Sequence, residues 1–196
     1  ASGKTIAANS WIFANQRPDS HVFFILPNTA SINAMVKQLQ VTFGENMVTA
    51  RHSKALSFFY TELAQNTPEP IRDYKRITQA AWSAKTLSTE LFYPVKVTTL
   101  HQLLITSLKG DGWEFGLLDY KNALFVIDEF HTYDALLMGL MLATVKLFKR
   151  IFNAKFLFMS ATIPAFMMKL IVKEIFDGDE NCIVRPDPSF ESDQAI

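Results

Sequence analysis

The chain lacks several features that would place it in a broad class at once. It has one cysteine, Cys182, in 196 residues, so an internal disulfide framework is excluded and a reducing, cytoplasmic setting is expected. No sign of charge predominates. Lys and Arg number 19 against 19 Asp and Glu, which excludes a wholly basic nucleic-acid module and leaves only local contacts of that kind. The longest apolar run, residues 135–145, is about half of the roughly 20 residues needed to cross a bilayer, and Lys146, Lys149 and Arg150 follow it. It reads as a buried core helix, and no membrane partner is expected. Internal repeats, low-complexity tracts, an initiator Met and a leader pattern are all missing, so the chain is expected to open in mid-motif.

What is present is a folded, hydrophobic chain: 49% of residues are apolar and 19% charged, enough for one domain with a sizeable core. Short β-rich runs at 21–26, 95–98, 123–127 and 155–159 alternate with helical patterns at 4–14, 31–43, 53–64, 99–108, 133–152 and 164–176. The last two strands are apolar on both faces and read as central parallel strands. Residues 65–74 read as a loop and 75–90 as a helix. Strand and helix alternating in this way imply parallel pairing with right-handed crossovers, hence an α/β sheet with helices on both faces and an active site at the strand C-termini. Residues 177–196 carry six acidic residues and two prolines, a composition suited to a connector.

The chemistry concentrates at three places. Ser-Gly-Lys-Thr at positions 2–5 matches the end of a phosphate-binding loop, G-x-x-x-x-G-K-[ST]. Gly3 would let backbone approach phosphate, helix-terminal amides would hold the anion, Lys4 would reach the outer phosphates, and the Thr5 hydroxyl would meet Mg²⁺. An ordinary exposed helix start is the competing reading. The apolar strand ending in Asp128 and Glu129 shifts the balance, because Asp128 can hold the hydrated metal while Glu129 orients a water for in-line attack. Third, the next strand runs into Ser160 and Thr162, two hydroxyls beside the carboxylates if the strands are neighbours. A polar turn before the first-turn Pro164 would also explain them.

S-G-K-T, D-E-F-H at 128–131 and S-A-T at 160–162, in that order, resemble the first RecA-like motor domain of superfamily 2 DExH-type helicases. More narrowly, Asp-Glu-Phe-His-Thr-Tyr-Asp at 128–134 is similar to the D-E-x-H-x-Y-D of the CRISPR-associated helicase of type I interference systems, which is commonly joined to a nuclease. Residues 26–35, His52-Ser53 with Ala55, and 98–104 are similar to further motifs of that family; His101 stands where many relatives are acidic. The resemblance implies a RecA-like P-loop fold over 1–176, with 177–196 leading towards a second motor domain. It implies ATP and Mg²⁺ as cofactors, bound by Ser2, Gly3, Lys4, Thr5 and Asp128, with Glu129 acting on water. His131, Ser160 and Thr162 would couple hydrolysis to movement. Pro27, Asn28, Thr29, His52, Ser53, Thr99 and Gln102 would grip single-stranded DNA through its backbone, as a motor that must slip along the strand requires. The implied partners are single-stranded DNA, a guide-RNA surveillance complex, a second motor domain and a nuclease domain.

Three other readings stay open on the sequence: another superfamily 2 motor such as an RNA helicase or restriction-type translocase, a non-hydrolysing docking module, and a small-molecule P-loop kinase. The paired Asp128 and Glu129 favour hydrolysis over the last two. Lys146, Lys149, Arg150 and Lys155 read as a solvated helix end. His52, His101 and His131 are too dispersed for a local metal motif, and no structural zinc is expected. The 17 phenylalanines fall mostly in strand and helix patterns, where a packed core is the default.

Overall fold

A computed structural model describes residues 3–51, 60–61, 63–65, 73–89, 93–108 and 117–185. The chain divides into two compact units, 1–162 and 163–196. The first runs α1 (Lys4–Asn15), β1 (Val22–Leu26), α2 (Ala30–Phe43), β2 (Val48–Arg51), α3 (Tyr74–Thr89), β3 (Val95–Thr99), α4 (Leu100–Ser107), β4 (Leu124–Asp128), α5 (Ala135–Phe152) and β5 (Lys155–Met159). The second contains α6 (Ala165–Ile175), which buries Ile171, Val172 and Ile175. Among the described residues no helix is long and apolar enough to cross a membrane.

All five strands are parallel, in the order β2-β3-β1-β4-β5. β1 and β3 are buried at every residue, as expected of strands whose two faces are both covered. Strand period 2 splits the core in two. Val22, Phe24 and Leu26 face Ala8 and Ile12 of α1 and Ile32, Val36 and Leu39 of α2. On the other face, register aligns Phe23, Phe125 and Phe156 across β1, β4 and β5. Their rings stack with centroids 4.9 Å apart at both steps, and Tyr120 and Phe148 of α5 close over them. Phe23, Phe125, Phe148, Phe152 and Phe156 thus form an aromatic seam in the core.

Local chemistry sets the boundaries. Gly44, at φ +100°, ends α2 in a conformation that favours glycine. Asp134 caps α5 by accepting the Leu137 N–H at 2.8 Å, so the helix starts two residues later than its apolar pattern does. Thr99, expected to begin a helix, is the last residue of β3. β5, read as central, stands at the end of the strand order with Lys155 exposed. Its apolar run reflects cover on its faces and pairing with β4 on one side. β2 went unread because four residues, Val-Thr-Ala-Arg, carry too short an alternation to signal a strand. The helix expected at 53–64 and the loop at 65–74 fall largely outside the described residues.

The aromatic row continues into a charge. Lys96, opposite Phe23 in register, is fully buried with its ammonium 5.8 Å from the Phe23 ring centroid. Asp119, in a helical turn before β4, is equally buried; it pairs with Lys96 through one oxygen and with His21 Nδ1 through the other. His21 therefore has a partner that its sequence spacing does not reveal. Burial pulls the Lys96 pKa down, Asp119 opposes that, and Arg51 adds to it. Removing one partner strands a charge in the core. Asp119→Ala is expected to lower stability by about 3–5 kcal/mol, and adding Lys96→Met to recover most of that loss. Urea unfolding of both variants checks this, and equal losses in the two would contradict it.

Candidate functional site

The C-terminal ends of the strands form one rim, and the register divides it. β1 and β3 pair Leu26 with Thr99, so residues 27–29 and 100–102 leave the sheet side by side. β4 and β5 pair Asp128 with Met159, and the ladder continues one step further: the Glu129 N–H donates to the Met159 carbonyl at 2.8 Å. Glu129 itself is left-handed, at φ 47° and ψ 39°, a conformation costing an ordinary residue about 1–2 kcal/mol. That turn sends Phe130 inward, buried edge-on against Phe158 at 5.5 Å, while the carboxylate stays partly exposed.

Lys4, in the first turn of α1, meets this carboxylate. Its ammonium donates to Glu129 Oε1 and lies 3.8 Å from Asp128 Oδ1. The other carboxylate oxygen, Oε2, lies 3.2 Å from His131 Nδ1 and accepts a 3.4 Å bond from the Ala161 N–H. His131 Nδ1 is also 2.6 Å from Ser160 Oγ. Ser160 Oγ has two acceptors in reach, the Thr162 carbonyl at 2.7 Å and Glu129 Oε2 at 3.5 Å. Lys4, Asp128, Glu129, His131, Ser160 and the Thr162 backbone are therefore one connected cluster.

The two adjacent carboxylates are driven apart in acidity. Burial raises Asp128 above its usual range and the Glu129 charge adds to this, against the pull of Lys4, the Glu129 N–H and His131. Burial acts on Glu129 in the same direction, but hydrogen bonds from Lys4 and the Ala161 N–H, with the charges of Lys4 and His131, outweigh it and hold Glu129 below its usual range. Such divergence between neighbours marks sites that do chemistry more often than structural ion pairs.

The donors also suit a phosphate and a hard cation. α1 has no side-chain cap and no acidic residue in its first turn, so its terminal amides remain available to an anion. Asp128 is a desolvated carboxylate with Lys4 3.8 Å away, and oxygen ligands of this type fit Mg²⁺. Among the described residues, a side chain at Gly3 would meet nothing within 4 Å.

The other expected contacts vary in access. Pro27 and Thr29 are half-buried and Asn28 exposed, its side chain accepting from the Ser31 N–H at 3.3 Å and Oγ at 2.9 Å. Thr99 is 7% exposed and offers the rim mainly its backbone, whereas Gln102 is half-buried and His101 between them exposed. Ser2, His52 and Ser53 lie outside the described residues. Sequence reasoning missed the Ala161 amide, which no side-chain pattern can signal, and Tyr133, noted only as one letter of a motif.

A sequence profile described as DEAD/DEAH box helicase matches residues 1–170. The chain is 23% identical over 171 residues to the CRISPR-associated endonuclease/helicase Cas3 of Escherichia coli strain K12, covering 83% of this chain and 19% of that protein. It is 24% identical over 169 residues to a CRISPR-associated nuclease/helicase Cas3 of Methanocaldococcus jannaschii, covering 85% of this chain and 22% of that protein. The chain thus spans about a fifth of the length of these curated relatives. No solved structure matches it.

The cluster's electrostatics have a measurable signature. A carboxylate whose pKa is depressed by folding contributes stability above its unfolded pKa, near 4.5 for Glu129, and loses it as pH falls through the folded value. Lys4→Met is expected to lower stability by about 1 kcal/mol at pH 7, and the difference from the unaltered chain to close as pH falls below 4.5. Urea unfolding across that range tests it; a difference independent of pH would show that Lys4 stabilises by packing alone.

Proposed function

Since this chain belongs to the DEAD/DEAH box helicase family, we propose that it is the first RecA-like motor unit of an ATP-dependent translocase acting on single-stranded DNA in type I CRISPR interference. The observation that carries the ATP chemistry is Lys4 held between Asp128 and Glu129, where α1 begins and β4 ends. Bound Mg²⁺ would supply charge neutralisation of the β- and γ-phosphates. Gly3 and the first amides of α1 cradle phosphate, with Ser2 beside them, and Lys4 turns from Glu129 to the outer phosphates. Thr5 and Asp128 hold the metal. Glu129 orients the attacking water and draws on its proton.

His131, Ser160 and Thr162 couple this site to movement, a role supported by their contacts to the Glu129 carboxylate and to each other. Pro27, Asn28 and Thr29 follow β1, the strand beside β4, and Thr99 and Gln102 lie at the end of β3, one strand further; with His52 and Ser53 they are the residues that contact DNA. Residues 1–176 are the motor unit and 177–196 lead towards a second one that completes the ATP cleft. The CRISPR setting is supported by the two relatives, both named as CRISPR-associated nuclease/helicases; DNA rather than RNA, and recruitment by a guide-RNA complex, follow from the resemblance of residues 128–134.

Two outcomes are expected. The 196-residue segment alone turns ATP over slowly, because an arginine supplied from outside is worth about 10³–10⁵ in rate in related phosphoryl-transfer enzymes. In the full-length protein, single-stranded DNA stimulates turnover and Glu129→Gln lowers it by about 10²–10⁴ with nucleotide binding retained. Stimulation by RNA alone would reassign the strand, and undiminished turnover by Glu129→Gln would sink the mechanism.

A further inference from the structure

Tyr133 is held on both sides. It follows the 3₁₀ turn Phe130–Thr132 with extended backbone, its N–H donates to the Phe130 carbonyl, and the next residue, Asp134, caps α5. The ring has no course but inward. It is 9% exposed, and its hydroxyl oxygen is fully shielded with no hydrogen-bond partner among the described residues. Leaving such a group unsatisfied costs about 1–3 kcal/mol, and phenylalanine would fill the same space without that penalty. The hydroxyl needs a partner that the chain's own described groups do not provide.

The charge it senses is Asp128. Burial first, then the Asp128 carboxylate, raise the phenol well above its usual pKa, so the hydroxyl keeps its proton and is a donor. Asp128 uses Oδ1 for the Glu129 N–H at 3.0 Å, and the same oxygen faces Lys4. We propose that Tyr133 is a positioning residue of the nucleotide site, its hydroxyl donating to a water that the Asp128 carboxylate shares with bound Mg²⁺. The assignment rests on the reading of Asp128 as the metal-holding carboxylate. A neutral donor suits that place. A second lysine or arginine would orient Asp128 equally well but would repel the metal, whereas a phenol fixes the carboxylate and leaves its charge to the cation.

The test is Tyr133→Phe in the full-length protein, read by thermal unfolding without nucleotide and by the affinity for a fluorescent ADP in Mg²⁺ and in EDTA. Thermal stability is expected to hold or rise. Affinity in EDTA is expected to stay the same, while the enhancement given by Mg²⁺ falls about tenfold and half-saturation shifts to higher Mg²⁺. An undiminished enhancement in Tyr133→Phe, or an equal loss in Mg²⁺ and EDTA, overturns the positioning role alone. Absence of any Mg²⁺ enhancement in the unaltered protein, unchanged again by Asp128→Asn, overturns the metal reading of Asp128 and this proposal with it.

Discussion

The pairing of β4 with β5 is the constraint on which the site depends. Parallel register sets Asp128 opposite Met159, and the Glu129 N–H extends the ladder by one bond to the Met159 carbonyl. Because that bond fixes the Glu129 backbone, its left-handed turn has a single outcome: Phe130 is driven under β5 and the carboxylate is left facing Lys4 and the loop after β5. A slip of one residue would exchange the two faces of β5 and separate the Ser160 and Ala161 contacts from Glu129. The stacked Phe125 and Phe156 guard against that slip, since they align only in the observed register.

The two ends of the sheet show how differently one fold treats charge. Towards the strand N-termini, Lys96, Asp119 and His21 are closed into a satisfied cluster next to an aromatic seam, with both Lys96 and Asp119 wholly buried. Both Asp119 oxygens are taken there, and the cluster holds the start of β1, β3 and the turn before β4 together. Towards the C-termini, Lys4, Asp128, Glu129 and His131 stay partly exposed and mutually unbalanced, with one carboxylate raised and its neighbour lowered. A cluster that is satisfied and buried specifies structure; one that is open and strained in acidity is poised for a ligand.

Much of this was legible in the sequence where local pattern and tertiary role agree. The runs at 21–26 and 123–127 are apolar enough to declare buried parallel strands, and a carboxylate pair at the end of one of them announces a strand C-terminus. Legibility failed where the deciding partner is distant. Lys96 looks like an outward residue of an alternating strand, and Asp119, 23 residues on, supplies the opposite charge that its burial requires. The four-residue β2 is stabilised by pairing with β3 rather than by its own pattern. The Ala161 amide and the orphaned hydroxyl of Tyr133 are products of chain path and packing, which no spacing rule encodes.

On the proposed reading, the cluster also answers a problem of order. Lys4 cannot hold Glu129 and reach phosphate at once, so nucleotide entry must break their ion pair. A carboxylate released in that way would ordinarily swing free and lose any ability to aim a water. Here its second oxygen is held independently, by the Ala161 N–H, with His131 Nδ1 3.2 Å away, on elements that Lys4 does not touch. Release of Oε1 therefore exposes one oxygen while the other keeps its place, which is what a water-orienting group requires. The His131 ring also lies against Ser160 Oγ, which donates to the Thr162 carbonyl, so a change in the carboxylate's hold on Lys4 is passed to the loop after β5 through His131 and Ser160 rather than by diffuse motion.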